Sequence, residues 1–168
     1  NEVIVLEANL NEDVIDGIFR NFPNHRFYIE GVSANKIRRF RNHLPQISLF
    51  KCNVLEAEHF LDVKKKPTML AYDLLSLGCK NVVLSNGKAP IIIGTEGKVE
   101  EIPVVSNPNV VSVNGAGDAL FAGIVHELSL NKTLEEAVSF GNKMAFYTLL
   151  SDTAIQKDIY NLMEKEEK

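Results

Sequence analysis

The chain is poor in cysteine, has no long apolar run, carries no excess of positive charge and shows no clustering of metal-ligand residues. Its only two cysteines, Cys52 and Cys79, fall at the end of one expected strand and near the start of another. That placement suits buried free thiols, in a reducing, cytoplasmic setting, better than a disulfide framework or a metal site. No apolar stretch approaches the ~18 residues of a membrane span, and no charged leader with an apolar run and cleavage site opens the chain, so neither a span nor a signal peptide is expected. Eighteen Lys and Arg against 22 Asp and Glu give a net charge of −4, which argues against a nucleic-acid polymer as partner; an anionic ligand would need a local site. His25, His43, His59 and His126 are scattered without paired cysteines, so no zinc cluster is expected and all four read as surface or structural residues. Ser85 and Ser112 lack the flanking turn of a Ser-His-Asp hydrolase. There is no internal repeat, and the charge runs Lys64-Lys65-Lys66 and Glu164 to Lys168 read as solvated surface.

What remains is a chain of 168 residues, 45% hydrophobic, suited to one domain with a sizeable core. Val3 to Leu6 reads as a buried strand, and Glu12 to Phe22 follows with apolar residues at helical spacing. Arg26 to Glu30 is again strand-like, Ser33 can cap a helix carrying Ile37, Phe40 and Leu44, and Ile47 to Cys52 makes a third strand. Asn53 can cap the next helix with Glu56 as capping-box partner, and Pro67 to Leu77 gives another helix closed by Gly78. Val82 to Leu84 is a buried strand. With the turn signals Asn86-Gly87 and Glu96-Gly97 around Ile91 to Ile93, Asn81 to Val104 reads as an antiparallel meander at a sheet edge. Helical patterns follow over Ala119 to Leu130, Leu134 to Leu150 and Ile155 to Glu166. The alternation predicts an α/β fold with a mostly parallel sheet covered on both faces and an antiparallel edge, binding its ligand at the carboxyl ends of the strands.

The stretch Val113-Asn114-Gly115-Ala116-Gly117-Asp118-Ala119-Leu120-Phe121-Ala122-Gly123 carries the most chemistry. Its small residues let backbone approach a ligand, and the helix that follows points N–H groups back at the turn, so a phosphate fits there. Asp118 falls in the first helical turn, where the positive helix end keeps a carboxylate ionised and able to accept a proton. An anion site with a base suggests phosphoryl transfer to a hydroxyl. The same residues also permit a plainer reading, since a first-turn Asp stabilises a helix by roughly 0.3–1 kcal/mol with no catalytic role. Asn53-Val54-Leu55-Glu56 is likewise common helix punctuation, Asn86-Gly87 is a hairpin turn, and Asn142 reads equally as a polar residue on a solvated helix face.

The segment Ser112 to Val125 resembles the carboxyl-terminal signature of the PfkB (ribokinase-like) family of carbohydrate and nucleoside kinases. The resemblance implies a three-layer α/β/α ribokinase-like fold and ATP-dependent phosphorylation of a primary hydroxyl. It makes Asp118 the catalytic base and Gly115, Ala116 and Gly117, beside Asn114, an anion hole. The family's Asn-x-x-Glu motif matches Asn53 and Glu56, which would organise Mg²⁺, mostly through water. Ser85-Asn86-Gly87-Lys88 resembles the family's nucleotide loop, with Pro90 replacing a usual second glycine, and Asn142 corresponds to a position near the adenine. Ser112 stands where the commonest pattern has an Asp that serves a monovalent cation, so K⁺ dependence is not carried over.

Two further stretches resemble pseudouridine kinases within the family: Glu30-Gly31-Val32-Ser33-Ala34-Asn35-Lys36, with Gly31 replacing the more usual Pro, and Thr148-Leu149-Leu150-Ser151-Asp152-Thr153-Ala154-Ile155. They imply pseudouridine as acceptor; ribose, fructose or another nucleoside remain alternatives, as does a nucleotide-binding module without catalysis. The family's amino-terminal half, with its sugar site and small β-sheet lid, has no counterpart here. Residues 1–168 are therefore expected to be the carboxyl-terminal, nucleotide-binding portion of such a kinase, inactive alone. The lid often supplies the family's dimer contact, which allows a homodimer in the full-length protein.

Overall fold

A computed structural model of the chain describes residues 2–105, 109–159 and 161. The chain falls into two compact units, Asn1–Glu101 and Ile102–Lys168. The first is built on a six-stranded sheet whose neighbours follow chain order. Strand β1 (Val3–Glu7) leads to helix α1 (Glu12–Asn21), β2 (Arg26–Glu30), a 3₁₀ stretch (Ile37–Gln46), β3 (Ile47–Asn53), α2 (Val54–Leu61), α3 (Pro67–Ser76), β4 (Val82–Asn86), β5 (Ala89–Thr95) and β6 (Lys98–Ile102). Strands β1 to β4 pair in parallel and β4 pairs antiparallel with β5, which is the mixed sheet that the alternation implied.

One apolar core accounts for this unit. Ile15 and Phe19 of α1, Ala57 and Phe60 of α2, and Leu70, Ala71 and Leu74 of α3 pack with Phe27, Ile29, Phe50, Cys52, Val82 and Leu84 of the sheet. Tyr28, Leu49 and Val83, on the alternate face of the strands, are buried too. Such two-sided burial is why β3 shows no alternation of apolar and polar residues, its Ser48 and Lys51 being buried as well. His43 is structural, as expected: it stacks on Phe19 at 4.2 Å and its Nε2 lies 2.6 Å from Asp16 Oδ1.

Two expected elements differ. Ser33 does not cap a helix; its carbonyl accepts the N–H groups of Lys36 and Ile37, and the segment runs on as 3₁₀ turns. Pro45 lies in the last turn, where it has no N–H to give an α-type bond to Arg41. Ile37, Phe40 and Leu44 are buried all the same; a three-residue period stacks Phe40 on Ile37 and leaves Leu44 to one side of them. The expected helix from Ile155 does not begin there: residue 155 is a bend, 157 and 158 are turn, helix is described only at 159 and 161, and the rest of that stretch lies outside the described residues.

The second unit holds α4 (Ala116–Ser129) and α5 (Leu134–Thr148). The helices meet closely, since a Cβ at Gly123 would fall 2.7 Å from the Gly141 Cα and one at Gly141 would collide with the Leu120 carbonyl. Among the described residues no helix is long and apolar enough to cross a membrane.

Candidate functional site

In the first unit the candidate residues meet at the carboxyl ends of β3 and β4, where Asn53 pairs in register with Ser85. Asn53 is extended, at φ −92° and ψ 168°, and caps α2. Its side-chain oxygen accepts the Glu56 N–H at 2.8 Å, while Glu56 Oε2 accepts the Asn53 N–H at 2.9 Å. The capping box predicted from sequence is therefore formed in full. Glu56 is buried, with one carboxylate oxygen committed to this bond.

Hard oxygen donors, few in number, suit Mg²⁺, which keeps several waters and is held by few protein groups. Among the described residues no group of three or more His, Cys, Asp or Glu is arranged around a metal. Asn53 and Glu56 fit an ion held largely through water rather than a protein cage. Cys52, beside them, is buried as a free thiol and is pushed well above the usual thiol range, chiefly by desolvation and then by the Glu56 charge. Cys79 is pushed up to about 12 by burial. Both thiols stay protonated at neutral pH and are poor nucleophiles.

After Ser85 the chain turns through Gly87 and Lys88, with Asn86 paired to Ala89. Asn86 thus ends β4 rather than sitting in the turn. Gly87 takes φ +58° with nothing within 4 Å of where its Cβ would be, so the glycine serves the hairpin backbone and leaves open space beside it.

In the second unit Gly115 is the N-cap of α4, at φ +79° and ψ −7°. Its carbonyl receives the first helical bond, from the Ala119 N–H at 2.8 Å, which places Asp118 at the third helical position, exposed to solvent. The Ala116 N–H only reaches the Val113 carbonyl at 3.5 Å, a long and weak contact. The Asn114 N–H is taken by Ser112 Oγ at 3.2 Å. The geometry is that of a helix N-terminus with a carboxylate in its first turn, where an anion is favoured.

Two placements were not legible in the sequence. A Cβ at Gly115 would run into the Ala154 carbonyl oxygen, so the segment after α5 packs on the glycine turn. Val111 and Ser112 donate to the Leu149 carbonyl at 2.8 and 3.3 Å, tying the approach to the turn to the end of α5. Asn142 corrects the solvated-face reading: it is buried, and its Nδ2 donates to the Pro103 carbonyl at 2.9 Å. Asn142 and its partner are 39 residues apart, which no helical period reveals.

Comparisons with known proteins bear on this arrangement. A model of the pfkB family carbohydrate kinases matches residues 2–158. The chain is 33% identical to the pseudouridine kinase of Escherichia coli over 131 residues, covering 73% of this chain and 41% of that protein. It is 30% identical to the 1-phosphofructokinase of Borreliella burgdorferi over 139 residues, covering 80% and 44%. It thus spans less than half the length of these curated relatives. The crystal structure of ribokinase from Thermotoga maritima superposes with a TM-score of 0.83 at 18% identity, over 98% of this chain and 57% of that one, so the fold is ribokinase-like. A capped Asn-x-x-Glu helix, a glycine-opened helix with an acid in its first turn and a family match across nearly the whole chain agree, and the chain belongs to the pfkB family of carbohydrate kinases.

Proposed function

We propose that the chain is the nucleotide-binding, phosphoryl-transferring portion of an ATP-dependent kinase that phosphorylates the 5′-hydroxyl of pseudouridine, with Asp118 as general base. The carrying observation is Asp118 in the first turn of α4, directly after a left-handed glycine cap. An exposed carboxylate at the positive end of a helix can take a proton from an approaching hydroxyl while the same helix end attracts the phosphate to be moved. Backbone N–H groups of Gly115, Ala116 and Gly117 would face the charge that builds on the transferred group, where enzymes of this chemistry gain most of their advantage. Asn53 and Glu56 would orient Mg²⁺ through water, and the ion would supply positive charge against the polyphosphate. Ser85, Asn86, Gly87 and Asn114 would hold the nucleotide, and Asn142 would join them through Oδ1, its Nδ2 being engaged with Pro103.

The likeness to the pseudouridine kinase of Escherichia coli favours that acceptor. The comparable likeness to a 1-phosphofructokinase favours, as second reading, a sugar or another nucleoside in its place. Buried free thiols accord with a cytoplasmic enzyme, and a homodimer belongs to the same reading of the full-length protein.

The test is ATP consumption by the complete reading frame with Mg²⁺ and pseudouridine, uridine, ribose or fructose, beside Asp118→Asn. Turnover on pseudouridine is expected, falling by at least roughly 10²–10⁴-fold in the variant with ATP binding preserved. Turnover confined to another acceptor overturns the substrate. ATP binding without turnover on any acceptor makes the chain a nucleotide-binding module, and loss of ATP binding in the variant makes Asp118 structural.

A further inference from the structure

At the carboxyl end of β2 the backbone makes an unusual bend. Glu30, its last residue, sits opposite Lys51 of β3 and forms a buried ion pair with it. The Gly31 N–H donates to the Lys51 carbonyl at 2.9 Å, so strand pairing runs one residue beyond β2. Val32 then takes φ +37°, a left-handed conformation that a β-branched residue rarely adopts. The Ser33 N–H closes back on the Gly31 carbonyl. Strained turns of this kind persist where surrounding structure holds them, and they gather at functional sites.

The bend presses the Gly31 Cα against the Asn53–Glu56 box. A methyl group at 31 would lie 2.8 Å from Glu56 Oε2, 2.8 Å from Cys52 Cβ and 2.7 Å from Ile37 Cδ1. Cys52 Cβ is fixed to β3, and Ile37 is fully buried. The contacts with Cys52 and Ile37 oppose a methyl group wherever Glu56 lies, and the Glu56 carboxylate, at the end of a flexible chain, is the polar group that such a methyl would displace. Its Oε2 is the atom that accepts the Asn53 N–H.

We propose that Gly31 is a positioning residue for Glu56: having no side chain, it lets the carboxylate lie closer to the turn than a methyl group would allow, so the turn after β2, and not α2 alone, sets where Glu56 presents its other oxygen. The functional half of this inference rests on reading Glu56 as the Mg²⁺-orienting group. Partners that orient such a carboxylate typically matter by 10- to 100-fold in metal affinity or activity.

The test compares wild type, Gly31→Ala, Glu56→Ala and the double variant in the complete reading frame, by urea unfolding and by the Mg²⁺ concentration giving half-maximal turnover. Gly31→Ala is expected to raise that concentration about 10- to 100-fold with KM for the acceptor unchanged. It should lower the urea midpoint in both backgrounds, since Cys52 and Ile37 crowd the methyl group in each, but by less in Glu56→Ala, where the clash with the carboxylate is gone, because coupled neighbours are non-additive. Equal midpoint losses in both backgrounds, or an unchanged Mg²⁺ requirement in an active variant, overturn the proposal. Should Gly31→Ala fail to fold in either background, the cycle is run with Glu56→Gln in place of Glu56→Ala under stabilising osmolyte, and equal midpoint losses there overturn the coupling. Should the wild type show no Mg²⁺-dependent turnover, the proposed function fails by itself, and the unfolding cycle still decides whether Gly31 positions Glu56.

Discussion

At the residue scale, three glycines with positive φ have different reasons for being glycine. Gly87 and Gly97, at φ +58° and +76°, stand in open space, whereas Gly115, at +79°, has the backbone of Ala154 where a side chain would be. Alanine at Gly87 therefore meets only the left-handed backbone cost of roughly 1–2 kcal/mol, offset in part by a stiffer unfolded chain. Alanine at Gly115 meets that cost and an overpacking cost of about 1–3 kcal/mol more, because a carbonyl in a chain segment yields less readily than a side chain tip. Urea unfolding of the two variants should show Gly115→Ala as clearly the less stable. Equal losses would mean that the segment around Ala154 does not pack on the turn.

At the element scale, local signals were legible and distant partners were not. The box of Asn53 with Glu56 could be read because its parts are three residues apart and their spacing is the mechanism. The same signal, Thr133 with Glu136, opens α5 as a full capping box that the helical pattern alone does not announce. By contrast, the contact of Gly31 with Glu56, the support of Gly115 by Ala154 and the bond from Asn142 to Pro103 join segments distant in sequence. Only tertiary packing decides them. The 3₁₀ stretch was missed for another reason: its apolar residues have the i, i+3, i+7 spacing of an α-helix, and only the backbone bonding shows the tighter form. The α5 box carries a test of its own. Hydrogen bonds from the Thr133 backbone and hydroxyl hold the Glu136 carboxyl below the usual carboxylate range. A depressed folded value means that this contribution is present above the unfolded pKa and is lost as pH falls through the folded one. Thr133→Ala should cost about 1 kcal/mol at neutral pH and less at a pH below the folded value, measured by urea unfolding. A cost that stays constant into acid would show that the Glu136 half of the box contributes nothing.

At the scale of the whole molecule, the sheet order follows chain order, so β1 to β4 and the elements between them build one core with α1, α2 and α3. That core needs no ion. The Asn53 N–H and Glu56 Oε2 satisfy each other, as do the Glu56 N–H and the Asn53 side-chain oxygen, and Glu30 is paired with Lys51. Metal binding in the proposed reading is therefore grafted onto a capping box that closes without an ion, unlike a structural zinc site, whose binding energy is folding energy. A weak site half filled with Mg²⁺ adds only about 0.4 kcal/mol to stability, or about 1–2 °C in Tm for a chain of this size. If the proposed function holds, removing divalent ions from the complete reading frame with EDTA should leave the Tm nearly unchanged while abolishing ATP turnover, and adding Mg²⁺ back should restore turnover with a rise in Tm of no more than about 1–2 °C. Thermal unfolding with and without EDTA, run beside the kinase assay, checks this. A fall of Tm well beyond a few degrees would show that an ion holds the folded chain together and that the Asn53–Glu56 rim is a structural metal site.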